Sequence, residues 1–300
     1  MSWFYKKETL IRTICFMSFF VAINVVCSFL TTVLPLISIG LIIFLPLTSA
    51  MVEVMCKDRW FPIYAFATIG LSIVISLSSI DFTIFYIVPS IFTGYIFGLF
   101  SKKNLPSMFA IFIATIIQTF LSLVYIPLFN LISGTNFIDV FMKILRISDR
   151  FLFEDILLIG FFVVSLMQII LSYIVVSNEL NKFGQKREIK NSENIIATCS
   201  ILLSIIVSIL FAFAFKARAI CYLFVGITYY FAVFVIIFQI KQKNILALSI
   251  AGTSLLIGLI LYAALNKYFT SGNDIVLLEV APFIIALESI LHYFLKKSEQ

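Results

Sequence analysis

After Arg12 the chain carries no charged residue until Glu53. The rest of the sequence repeats that pattern: an apolar run, a short break of charges or turn formers, then another run. Ten runs are long enough to consider as membrane spans: Leu10–Leu30, Leu36–Val54, Phe61–Ser78, Phe82–Phe100, Ser107–Leu131, Ile156–Val176, Ile195–Phe215, Ala219–Gln239, Ile245–Leu265 and Ile275–Leu295. About 20 apolar residues in a helix cross a ~30 Å hydrocarbon core, and a lipid-exposed backbone must satisfy its own hydrogen bonds. The pattern therefore predicts an all-α, polytopic transmembrane bundle of about ten helices. The second run is bracketed by Pro35 and Pro46, so it reads as a bent span or a partly re-entrant segment.

The periodicity changes in one place. Across Thr135 to Asp155, residues Phe137, Val140, Phe141, Ile144 and Leu145 follow helical spacing, while Asp139, Lys143, Arg146 and Arg150 fall opposite. That predicts an amphipathic helix lying at an interface, either as a passive connector or as a lid. The stretch Asn178 to Asn194 (NELNKFGQKREIKNSEN) is polar and mixed in charge. It divides the chain into a six-span segment (1–177), a linker (178–194) and a four-span segment (195–300).

Composition agrees with the pattern. The chain is 62% hydrophobic, 12% charged and has a mean hydropathy of +1.14, which a soluble chain of this length could not sustain. The formal net charge of +6 invites a nucleic-acid reading, but no soluble basic module is present. The basic residues sort by side instead. With the N-terminus inside, all but six of the 21 Lys and Arg fall on one side, leaving Lys143, Arg146, Arg150, Lys216, Arg218 and Lys267 on the other. Cytoplasmic loops accumulate such residues, so ten spans with both termini cytoplasmic are expected, in contact with a lipid bilayer and not with nucleic acid. Lys6, Lys7 and Arg12 precede a first run that is long and lacks a small-residue cleavage site, so it is expected to stay as an anchor.

Candidate chemistry is sparse. The five cysteines form no C-x-x-C, the single histidine is His292, and no catalytic, phosphate-binding or metal-binding motif occurs. No enzyme activity, metal or cofactor is expected. Acidic residues in or beside spans carry more information, because charge in lipid is costly. Glu279 lies three residues before Pro282, where a kink would free a carbonyl and open a polar pocket. Glu288 and His292, four apart, share a helix face. Glu53 has Lys57 and Arg59 nearby for an interfacial ion pair. Asp81, in the turn Ser78-Ser79-Ile80-Asp81, either caps the following helix or faces a ligand. Gln118 and Gln168 are mid-span amides needing partners, with interhelical hydrogen bonds the default and substrate contact the alternative. Gly94 with Gly98, and Ala110 with Ala114, are small-xxx-small pairs of the kind that pack helices.

The succession LIRTICFMSFFVAINVV, then IGLIIFLP, then IVPSIFTGYIFGLFSKK resembles the membrane-embedded substrate-binding components of energy-coupling factor (ECF) transporters, and in particular their YybS-like bacterial relatives. The resemblance covers about Thr9 to Val176. It implies a six-helix bundle in a bacterial cell membrane that captures a micronutrient and is driven by a transmembrane coupling subunit with its ATPases. The family's partner-docking pair falls here on Ser18 and Ala22, a serine replacing the first alanine. Its pocket would be built from outer loops: the first around Thr31 and Thr32, the third around Asp81, and the fifth with the amphipathic helix. The last four spans depart from that six-helix pattern. Small-solute uptake is the leading expectation, with Asp81, Thr31, Thr32, Gln118 and Glu279 as candidate substrate contacts. A scaffold recruiting proteins through its basic linker, and an ion-coupled carrier using Glu279 and Glu288, are the rivals.

Overall fold

The computed structural model describes residues 10–76, 83–147, 149–184, 191–215, 218–242, 245–265 and 273–298. Among them the chain is helical and contains no strand, an all-α polytopic bundle. Eight helices among the described residues are long and apolar enough to cross a membrane. The chain divides into two compact units: residues 1–148 with 161–188, and residues 149–160 with 189–300.

The first unit is built from α1 (Leu10–Val33), α2 (Pro35–Met55), α3 (Phe61–Ile75), α4 (Val88–Lys102), α5 (Ser107–Ser133), α6 (Phe137–Leu145) and most of α7 (Arg150–Lys182). Only Leu34 separates α1 from α2, because Pro35 occupies the first helical turn of α2, where a missing N–H costs nothing. Thr31 and Thr32 are therefore helical, and the expected first loop does not exist. Pro46 lies inside a continuous α2 rather than ending it. The apolar part of α2, Gly40–Met55, is shorter than the eight long helices. The 15 residues of α3 reach about 22 Å, short of a ~30 Å core. α4 is entered through a π-helical turn, Thr83–Ile87.

Gly134 in the left-handed region (φ 66°) ends α5. α6 follows at once, its N-terminus capped by the Asn136 side chain, which accepts from Ile138 N at 3.1 Å. Asn130 on α5 accepts from Phe137 N at 2.7 Å and ties the two helices together. Arg146, also left-handed (φ 57°), ends α6, so the amphipathic stretch stops well before Asp155. α7 begins at Arg150, six residues ahead of the expected span, and takes in the first residues of the polar linker. The core gathers Met17, Val21, Leu45, Val52, Phe61, Tyr64, Ile87 and Ile91.

The second unit holds α8 (Asn191–Leu210), which ends in a π-helical turn, Phe211–Phe215, then α9 (Arg218–Lys241), α10 (Ile245–Leu265) and α11 (Val280–Ser298). α11 is entered through a 3-10 stretch, Asn273–Glu279. Pro282 thus sits in the first turn of α11, where its lost N–H is harmless, and does not kink a continuous span as expected. α10 turns small residues inward: Ala247, Ala251 and Ser254 are buried, and a Cβ at Gly258 would stand 3.1 Å from Ala281 Cβ on α11.

Candidate functional site

In the first unit, polar side chains from three helices converge. Asn24 (α1) donates to Tyr64 Oη (α3) at 2.6 Å and accepts from Thr48 (α2) at 2.9 Å. Ser49 Oγ stands 3.2 Å from Tyr64 Oη. All four side chains are buried. They satisfy one another, which fixes α1, α2 and α3 together and leaves little for a ligand.

The end of α2 is different. Glu53 is buried, and neither of its carboxylate oxygens accepts a hydrogen bond. The cation beside it is Lys102 at the end of α4, 3.8 Å away, rather than the expected Lys57 or Arg59. Lys102 also donates to Glu53 O (3.2 Å), Cys56 O (3.1 Å) and Asp58 Oδ1 (2.5 Å). That bond holds the Asp58 carboxyl below the ordinary aspartate range. One ammonium thus staples the end of α4 to the end of α2.

The expected contacts scatter. Thr31 bonds the Ser28 carbonyl of its own helix at 2.7 Å. The Thr32 side chain and the whole of Asp81 lie outside the described residues. Gln118 is buried and donates to Gln168 Oε1 on α7 at 2.5 Å, an interhelical bond within the unit. Ala110 and Ala114 are buried on α5. Gly94 packs against Pro46 O and within 2.5 Å of Ser49 Cβ, measured from an added Cβ. Ser18 and Ala22 are both exposed, on a face of α1 shared with Ile11, Val26 and Phe29.

The second unit keeps Glu279. It is buried, Oε1 lies 3.3 Å from Thr228 Oγ1 (α9), and among the described residues Oε2 has no partner. The Ser208 hydroxyl (α8) is a second neighbour of the carboxylate. Ser204 (α8) stands 3.0 Å from Thr228 Oγ1, and Ser208 Oγ 3.4 Å from Cys221 Sγ. Tyr229 donates to the Leu278 carbonyl at 2.9 Å. Further along α11, Glu288 accepts from Gln239 on α9, and His292 acts on it electrostatically. Ser289 meets Thr198 at 3.0 Å and Asn194 at 3.1 Å. The hydroxyl residues around Glu279 went unread in the sequence. Their signal was Ser200, Ser204 and Ser208 at intervals of four in an otherwise apolar run.

These features define a class: an integral membrane protein of packed helices with acidic groups buried inside it. No protein-family model, no curated protein and no solved structure matches the chain.

Proposed function

We propose that this chain is a multi-pass component of small-solute uptake in a bacterial cell membrane, with both termini cytoplasmic. Glu279 carries the reading. It is an acid set among hydroxyls inside a span, with one oxygen that no group among the described residues satisfies. Gln118 and Gln168, by contrast, are neutral amides that bond each other across helices. Ionisable groups left unsatisfied at such depth are costly and belong to function. The test uses cells producing the wild-type or the Glu279→Gln protein at equal membrane levels, with mass spectrometry of a defined medium. At least one small solute should disappear faster with the wild type than with the variant. Identical depletion profiles overturn the reading.

A partner-driven form of the same activity is favoured by the exposure of Ser18 and Ala22. Two small residues between Ile11, Val26 and Phe29 leave a shallow notch for another helix. In the manner of ECF substrate-binding components, a transmembrane coupling subunit with its ATPases would dock there. Ser18→Trp or Ala22→Trp should then abolish co-purification of that subunit without lowering the melting temperature. Unchanged co-purification would exclude docking at this face.

A further inference from the structure

We infer that the Glu279 cluster binds a monovalent metal cation, for which sodium is the probe. This deepens the uptake reading and rests on it for its biological purpose, although the chemistry stands on the geometry of the cluster.

The argument is a count of hydrogens. Thr228 has one hydroxyl hydrogen and three acceptors around it: the Phe224 carbonyl at 2.8 Å, Ser204 Oγ at 3.0 Å and Glu279 Oε1 at 3.3 Å. The shortest bond is to the carbonyl of its own helix, and it takes the hydrogen. Ser204 spends its own hydrogen on the carbonyls of Ser200 (2.9 Å) or Ile201 (3.0 Å). Ser208 is contested by Cys221 Sγ, whose weak S–H points in turn to the Ser208 carbonyl at 3.6 Å. Tyr229 is committed to the Leu278 carbonyl. The carboxylate thus has the Ser208 and Thr228 hydroxyls as its donors, Oε1 lying 3.3 Å from Thr228 Oγ1, and among the described residues Oε2 has no hydrogen-bond partner.

The cluster is rich in lone pairs and poor in hydrogens. Burying a carboxylate in that state is expensive unless it takes up a proton or a metal cation shares the space. The acceptors are oxygens of one carboxylate and of the Ser204, Ser208 and Thr228 hydroxyls, the set a hard cation prefers. With a single negative charge, a monovalent ion leaves the cluster neutral, whereas a divalent one would leave it charged inside a span. Among the described residues no group of three or more His, Cys, Asp or Glu is placed to hold a metal, so a transition metal lacks its ligands.

Location supports the assignment. Glu279 ends the 3-10 stretch that breaks the span before α11, and Ser208 lies one turn before the π-helical turn that ends α8. Irregular backbone at such depth is tolerated where it lines a cavity or holds an ion. Among the described residues, Tyr229 on α9 is the titratable group that acts on Glu279, and Cys221, also on α9, stands against Ser208. Lys216, Arg218 and Lys267, the basic residues nearest this end in sequence, have side chains outside the described residues.

The test is a melting series on the purified full-length protein in NaCl, KCl and choline chloride at matched ionic strength, with radioactive sodium binding alongside. The wild type should show a saturable, sodium-specific rise in melting temperature that Glu279→Gln lacks. Thr228→Val, which removes one oxygen and keeps the shape, should weaken sodium binding about tenfold. Identical melting of the wild type in all three salts overturns the inference, as does a sodium effect retained in Glu279→Gln. A dependence on pH alone also overturns it, since Glu279 would then hold a proton. Sodium binding without solute uptake would sustain the cation site and remove the uptake reading. Solute uptake lost in Glu279→Gln with no response to sodium would do the reverse.

Discussion

Gly98 presses on Glu53: a Cβ added at Gly98 would stand 2.6 Å from Glu53 Cβ and 2.9 Å from the Ala50 carbonyl. One turn earlier, Gly94 meets Pro46 O and Ser49 in the same way. The two glycines let α4 approach the backbone of α2 more closely than any side chain permits. A methyl at either position must push the helices apart. Gly98→Ala and Gly94→Ala should each destabilise the protein by about 1–3 kcal/mol, the usual range for overpacking. Gly70→Ala on α3, where nothing lies within 4 Å, is the matched control and should melt like the wild type. Equal melting of all three variants would mean that α2 and α4 are not packed this closely.

Removing Lys102 should be worse than removing Glu53. Lys102→Met leaves the buried Glu53 carboxylate without its cation and three carbonyl or carboxylate oxygens without their donor. Breaking one side of a fully buried pair costs about 3–5 kcal/mol, and because Lys102 is partly exposed the loss here should be smaller, whereas replacing both sides is often nearly neutral. Adding Glu53→Gln to Lys102→Met should therefore recover part of the loss in a denaturation series. A double variant less stable than Lys102→Met alone would show that the two residues do not interact.

Asp58 gives a pH dependence with a definite sign. Its carboxyl is held below the ordinary range by Lys102, so the folded state binds its proton less readily than the unfolded chain. The stabilisation is fully present above the unfolded value of about 3.9 and is lost as pH falls through the lower folded value. The melting temperatures of the wild type and Asp58→Asn should thus differ at pH 6 and converge as the solution is made strongly acidic. Because Asp58 is exposed, the difference at pH 6 should also shrink in high salt. A difference independent of both pH and salt would assign the effect to something other than this charge.

The Gln118–Gln168 bond predicts non-additivity. Gln118→Leu strands the Gln168 amide within the helix bundle, and Gln168→Leu strands that of Gln118. Each single change should cost about 1 kcal/mol, and the double change less than the two together. Strict additivity in the four-member cycle would argue against the bond.

Much of this architecture could be read from the chain because lipid-length apolar runs leave the backbone few options. The amphipathic spacing from Phe137 to Leu145 likewise marked a real helix. What misled were local signals with more than one meaning. The resemblance implied a loop around Thr31 and Thr32, yet Pro35 fits a helix start and leaves no room for one. The span expected from Ile156 begins at Arg150, since charges are tolerated in the first turns of a helix. Pro282 suggested a kink because the irregular stretch ahead of it, Asn273–Glu279, leaves no mark in hydropathy. The partners of Glu53 and Glu279 were hidden for a different reason. Lys102 is far from Glu53 along the chain, and Thr228 is far from Glu279. Serine and threonine in apolar helices, moreover, usually bond their own backbone, so hydroxyls at a site look like hydroxyls anywhere.

The short helix α6 bears on how the first unit can move. It is fastened to the end of α5 by Asn130 and fixed in direction by left-handed residues at Gly134 and Arg146. Its apolar residues Val140, Phe141, Ile144 and Leu145 remain uncovered, so they seek the boundary between headgroups and acyl chains. Sliding α5 along the membrane normal would drag this helix out into water or bury its charged face in oil. α6 therefore acts as a float that sets the depth of α5. Tied to it, the long helix resists being pumped up and down like a piston.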